Sequence, residues 1–435
     1  MPEMILPGVY IEVRPEGLIV PGQISVGNVG VVGTAAKGPV GVPTLVGSYA
    51  DAVRRFGDYD AWQGGTHDEL TLVRALQLVF AHGATTVFAV RVAGASAATA
   101  SITLASASGN TAKLTAKTLG AWANDLAVNV AAADESPMIE KRLHGSDIPI
   151  TLSPKPIQSA RNRVQVTEDA TGISRALRVV SGAGAPAAGE AKLDPATGAV
   201  TFGDTLQAAD VIDLTYLADK SAAVKVTLRL GTATEVYTVV DGNDLADDVN
   251  DPVAGSAWVT ASVAGMSHPE EKPSNTTPAG AFAPLKGGDN GAANADYRTG
   301  GLDPLLTVDA HIVVAAGQDE RFGGALAAHC QQASTDLVKR DRIAVVGSGI
   351  RNPAQLFDAV IGHPLDSDRL IFVAPGIQAQ DTAAAKTVTL PGAYAAAAIA
   401  GQLASLSPHV SLTNKPVQVD GLEVEFDAAQ LTQLV

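Results

Sequence analysis

The sequence holds one cysteine, Cys330, in 435 residues. A single thiol excludes an intrachain disulfide framework and a thiolate metal cluster. Charged residues make up only 17% and aromatic residues 4%. The formal net charge is −15, so a coat around nucleic acid or an anionic membrane surface is excluded. The start, MPEMILPGVY, lacks a basic n-region and a long apolar run, so no secretion signal is expected and synthesis in the cytoplasm is. Gly, Pro, Ser or charge interrupts every apolar stretch before the roughly 18 residues that a membrane span needs. No membrane insertion is expected. Catalytic signatures are missing too: there is no P-loop, no G-x-G-x-x-G after a strand, and no Ser within G-x-S-x-G. No catalytic residue, cofactor or metal ligand is assigned.

Apolar residues reach 46%, with 43 Gly and 24 Pro. This is a globular composition rich in strands and loops, and its length favours two to four domains. The stretch Thr387–Val417 organises the rest. Pro391 suits a helix start, and an Ala run with Ile399, Leu403 and Leu406 follows. Pro408 stops the helix. A helix apolar almost all round belongs in a core, and small side chains let other elements approach closely. Val410–Val417 is extended, with Asn414 and Pro416 as turn residues.

In chain order, VYIEV (Val9–Val13) reads as a strand with no hairpin partner nearby. Val26–Thr34 reads as a buried strand, Ser48 as a helix cap, Asp68–His82 as a helix ended by Gly83, and Thr85–Val92 as a strand. Strand patterns then dominate to about Pro284, with turn signals every eight to twelve residues through Ile148–Ala218. From Gly287 strands and helices alternate again: His311–Ala315, Phe322–Lys339, Arg342–Val346, Pro353–Ile361 and Arg369–Ala374. The expected fold is a mixed α/β core split by β-rich inserted domains. An extended arm covers 1–20, and the core has a first part, 21–92, and a second, 286–435. A β-rich insertion covers 93–147 and 219–285, and a small β-sandwich covers 148–218. The sandwich is expected to fold alone. The chain stops at DAAQLTQLV within a helical pattern, so a truncated end is expected.

Four stretches carry possible chemistry. VVGSGIRNP (Val345–Pro353) follows a strand and offers either an anion cradle or a tight βα turn, the second reading being preferred. His329 and Cys330 are neighbours but do not share a helix face. DGNDLADDVND (Asp241–Asp251) lacks the EF-hand order and reads as a capped, solvated helix. GGDNG (Gly287–Gly291) reads as a tight turn.

Several stretches, taken in order, resemble contractile tail sheath proteins of phages and contractile injection systems. They are PGVYIEV (Pro7–Val13); Val29–Gly57 with its Gly-Pro loop; VFAVRV (Val87–Val92); and Leu114–Val130 with Gly120, Trp122 and Asn124. LKGGDNG (Leu285–Gly291), the Tyr297–Leu302 segment and LTNKPV (Leu412–Val417) close the series. The resemblance does not cover Ile148–Ala218. It implies a subunit that stacks in homo-hexameric rings as a helical sleeve around an inner tail tube protein. The metastable sleeve would contract and drive the tube through a target envelope without nucleotide. Baseplate and tail terminator proteins are the implied further partners, with no direct nucleic acid contact. The implied location is the host cytoplasm on synthesis, then a virion tail or extracellular particle. Val9, Tyr10, Ile11, Glu12 and Val13 are expected to exchange a strand between subunits. Gly120, Trp122, Asn124, Asn414 and Pro416 are the expected core motif. The rival readings are an α/β nucleotide-binding enzyme and another phage tail structural protein, of tube or baseplate.

Overall fold

The computed structural model describes residues 27–65, 68–181, 184–274 and 281–434. The chain forms two compact units, one of Met1–Ala35, Val40–Gly94 and Ala292–Val435, the other of Ala36–Pro39 and Ala95–Gly291.

The first unit is built on a six-stranded sheet. Its order is Thr44–Val46, Val87–Val92, Val29–Thr34, Ile312–Ala315, Ile343–Gly347 and Leu370–Val373. Every pairing is parallel except that of the Thr44–Val46 edge. Parallel strands are covered on both faces and so read as continuous apolar runs. Val29–Thr34 obeys this rule, with all its residues buried.

Helix boundaries follow local chemistry. Tyr49–Phe56 starts where the Ser48 hydroxyl accepts the Asp51 N–H, and stops at Gly57, whose φ of 80° suits glycine. Gly392–Ser405 is the Ala-rich helix, buried from Gly392 to Ala398 and again at Ala400 and Gly401. Pro391 is its cap residue, just ahead of the first turn. A Cβ on Gly401 would stand 2.3 Å from the Val79 carbonyl oxygen, so this helix and Leu72–Ala81 meet backbone to backbone. A larger residue in place of Gly401 would hold the two apart.

One element had no clear sequence signal. Ile377–Asp381 and Lys386–Leu390 form a hairpin, joined on its other side by Gly421–Leu422. Its strands carry exposed polar residues, and the turn lacks the usual Asn-Gly or Asp-Gly pair. The Asp381 side chain makes the turn, accepting the N–H groups of Ala383 and Ala384 at 2.9 Å. The helix expected over Phe322–Lys339 is shorter, Gly323–Ala333. The chain turns after Ser334 and reaches Lys339 with φ 54°.

The second unit has two large cores and a smaller buried cluster of Ala133, Ala218, Ala223 and Val240. Around the first lie a four-stranded sheet, a three-stranded sheet and the helix Gly242–Asn250. Leu114, Leu126, Val226 and Leu228 are fully buried there. Around the second, seven strands run from Met138–His144 to Val211–Leu217. They form one continuous sheet, and its strands share a single core that includes Val164, Val166, Ile212, Leu214 and Tyr216. The sheet starts ahead of the expected boundary at Ile148, because Met138–His144 pairs along its whole length with Val211–Leu217. MIEKRLH exposes alternate residues on an edge strand, so its apolar signal is weak.

Candidate functional site

Val9, Tyr10, Ile11, Glu12 and Val13 lie outside the described residues. The other residues of the sequence motif fall at two separate places.

In the second unit, Gly120 takes φ 137°, and a Cβ there would stand 1.9 Å from the Ala36 carbonyl oxygen. No other residue fits. Asn124 then closes a reciprocal pair: its Nδ2 donates to the Gly288 carbonyl, and its Oδ1 accepts the Gly288 N–H, each at 2.9 Å. The Ala121 N–H donates to Asn290 Oδ1 at 2.8 Å. The loop GAWAND thus clamps the loop GGDNG, and the two stretches act together. Trp122 is half-buried beside the apolar core, its Nε1 without a partner among the described residues. In the first unit, Asn414 holds φ 60° in a turn, and Gln402 Nε2 donates to the Pro416 carbonyl at 3.0 Å. This ties the extended piece back to the Ala-rich helix.

The sequence reading missed a buried ion pair in the first unit. Arg74 Nη1 and Asp381 Oδ2 lie 3.1 Å apart, with 4% and 0% of their side chains exposed. Asp381 Oδ2 also accepts the Trp62 N–H at 2.7 Å, and Arg74 Nη2 donates to the Asp60 carbonyl. The Arg74 guanidinium sits 4.3 Å from the Tyr59 ring centre. Burial pushes the Asp381 carboxyl up, but the N–H groups of Ala384 and Trp62, with Arg74, outweigh it and hold it below the usual range. A lone Arg on an apolar helix gives no sequence signal for a carboxylate so far along the chain.

A cavity of about 550 Å³ opens at the carboxyl ends of the parallel strands. Thr34, Gly317, Gln318, Gly349 and Ile350 reach it from the strand ends, and Trp62, Tyr297, Phe322 and Tyr394 supply rings. From the strand Val29–Thr34 the connection runs to one side of the sheet, and from Ile312–Ala315 to the other. In open α/β sheets ligands gather at such a reversal.

The same geometry decides the fate of Val345–Pro353. The Gly349 N–H, which an incoming anion would need, donates to Glu320 Oε2 at 2.9 Å. Arg351 pairs with the same carboxylate. A carboxylate of this chain already fills the anion position. A Cβ on Gly347 would lie 1.8 Å from the Gly392 carbonyl oxygen, so this glycine serves close packing.

The remaining stretches are structural in their surroundings. The His329 Nε2 accepts from Arg342 Nη1 at 2.9 Å; burial, then Arg342, lowers its pKa to about 4, so the ring is neutral. Burial pushes the Cys330 thiol up to about 11, which leaves it unreactive at neutral pH. Asp241 caps the helix Gly242–Asn250 by accepting the Asp244 N–H. Burial, then Asp244, Asp247 and Asp251, raises Asp248 to about 6. Among the described residues, His268, Glu270 and Glu271 bring ligand atoms within 4.8 Å of one another. Ser108 and Asn110 engage that loop at 2.8 Å.

No protein-family model matches this sequence, and no curated protein matches it. Solved structures do. A crystal structure of a sheath tail protein from Desulfitobacterium hafniense superposes with a TM-score of 0.52 at 15% identity, spanning 98% of this chain and 69% of that one. A sheath tail protein from Listeria innocua gives 0.49 at 15% identity, over 94% of this chain and 63% of that one. The first of these carries the assignment: a mixed α/β fold with several β-sheets, shared along nearly the whole chain with a sheath tail protein.

Proposed function

We propose that this chain is the structural subunit of a contractile tail sheath. It polymerises with itself as stacked hexameric rings around an inner tube, and it contracts to drive that tube through a target envelope. The observation that carries this reading is the fold shared with a sheath tail protein over 98% of the chain. The ordered sequence motifs add to it. The clamp of Asn124 on Gly288 and the close contact of Gly120 support a loop-ordering role for those motif residues within one subunit. The nucleotide-binding rival loses its anion loop to Glu320.

In this reading the segment Val9–Val13 pairs with a sheet edge on a neighbouring subunit. A receiving edge is at hand: among the described residues, Lys386–Leu390 pairs on one side only, with Ile377–Asp381. One added strand brings a few net hydrogen bonds of roughly 0.5–1.5 kcal/mol each. Repetition around every ring makes that weak bond strong. Tyr10→Pro or Glu12→Pro removes a ladder donor. The expected outcome is an unchanged subunit melting temperature and a collapse of polymer length. A variant whose isolated subunit unfolds would place the strand in its own core.

A further inference from the structure

The cavity at the carboxyl ends of the strands holds polar atoms that the fold leaves unused. The Tyr394 hydroxyl is buried in a residue only 1% exposed and has no hydrogen-bond partner among the described residues. A buried hydroxyl left without a partner costs stability, so it calls for an explanation. It borders the cavity beside Gly317, where a Cβ would stand 3.5 Å from it. Glu69 lines the same cavity. Its Oε1 accepts the N–H groups of Gln63 and Gly65, at 3.2 Å and 2.9 Å, while its Oε2 has no partner among the described residues. The Trp62 ring stands edge-on to Tyr394, with centroids 5.7 Å apart at 87°, so the two make an aromatic corner.

The charges around this corner select the ligand. An anion finds little here. The Ala393 and Tyr394 N–H groups at the start of the Ala-rich helix are already bonded to Ser348 and Pro391. Arg351 is paired with Glu320. Arg321 is 74% exposed and lies 3.8 Å from Asp319. Arg74, behind Trp62, is matched by the buried Asp381. Counting Glu69, Asp319 and Glu320 against Arg321 and Arg351 leaves one uncompensated carboxylate. Carboxylate and phenol oxygens beside aromatic faces are the surroundings that hold ammonium groups.

We propose that this cavity binds a primary ammonium group, seated between Glu69 and the Tyr394 hydroxyl against Trp62. The group belongs either to a free alkyl amine or to a lysine side chain of another polypeptide. The volume leaves room for the attached carbon chain. This inference goes beyond the sheath role and does not depend on it.

The test is calorimetric titration of the full chain with three probes: cadaverine, Nα-acetyl-lysine amide, and the same amide acetylated at Nζ. Binding of either amine, without binding of the Nζ-acetylated amide, is the expected result. Lysine amide binding points to a polypeptide source, and cadaverine binding alone points to a free amine. Tyr394→Phe removes only the unpartnered oxygen, and Glu69→Gln keeps an acceptor for Gln63 and Gly65. Each should weaken binding by about tenfold or more while leaving the melting temperature in place. Equal binding of the neutral amide, unchanged affinity in both variants, or no heat at millimolar amine overturns the proposal.

Discussion

The Ala-rich helix of the first unit and the core of the seven-stranded sheet of the second are both well buried, but by opposite means. Around the helix, backbones touch: Gly401 against Val79, and Gly347 against Gly392. The side chains there are mostly methyl groups, and two distant stretches of sequence must meet before anything is covered. The sheet is filled by branched side chains, Val164, Val166, Ile212 and Leu214, and all seven of its strands come from one continuous stretch, residues 138–217. The first arrangement tolerates no added atom. The second tolerates change in proportion to the atoms removed.

This difference is sharpest at Gly347. The Cβ of Gly347→Ala would stand 1.8 Å from a backbone oxygen with no flexible end to move. The expected loss is more than about 3 kcal/mol, seen as failure of the first unit to fold while the second still melts cooperatively. A single unshifted transition would break the comparison.

Next in size is Asp381→Asn. It leaves Arg74 buried without its countercharge, which costs about 3–5 kcal/mol in such pairs. The native carboxyl is held below its usual range, so it favours the charged, folded form. Its contribution is complete above about pH 4 and fades as pH falls through the lowered folded value. His329 acts earlier in the same direction. Its ring is neutral in the fold down to about pH 4, while the unfolded ring takes up its proton near pH 6.5. Stability of the first unit should therefore decline from about pH 6.5 downward, and His329→Gln should remove that part of the slope. Urea titrations from pH 7 to pH 4 check both.

Leu214→Ala probes the other arrangement. The residue is 1% exposed within the seven-stranded sheet, and such truncations cost about 2–5 kcal/mol. The loss should appear in the second unit alone. Asn124→Ala should be milder, about 1–3 kcal/mol, since it frees the Gly288 N–H and carbonyl to find water. A loss as large as that of Leu214→Ala would make the loop clamp a true core element.

What was legible in the sequence follows the same division. The parallel strands and the Ala-rich helix carry unbroken apolar runs, so their existence and order were readable. Ser48 and Asp241 announced helix starts through side-chain chemistry that acts within three residues. The Ile377–Leu390 hairpin was hidden because a side chain, Asp381, shapes its turn. The edge strand Met138–His144 was hidden because half of its residues face solvent. Of the candidate site, Gly120 and Asn124 were visible as residues, but their partners Ala36 and Gly288 were not. The cavity was not legible at all, because Glu69, Trp62 and Tyr394 meet only when the sheet has formed.

The central claim, a self-assembling sheath subunit, is tested most directly by negative-stain electron microscopy of the purified full chain, in buffer containing a chelator and no nucleotide. The account predicts rings or long hollow polymers of uniform width. A small closed oligomer that hydrolyses ATP or GTP would contradict it.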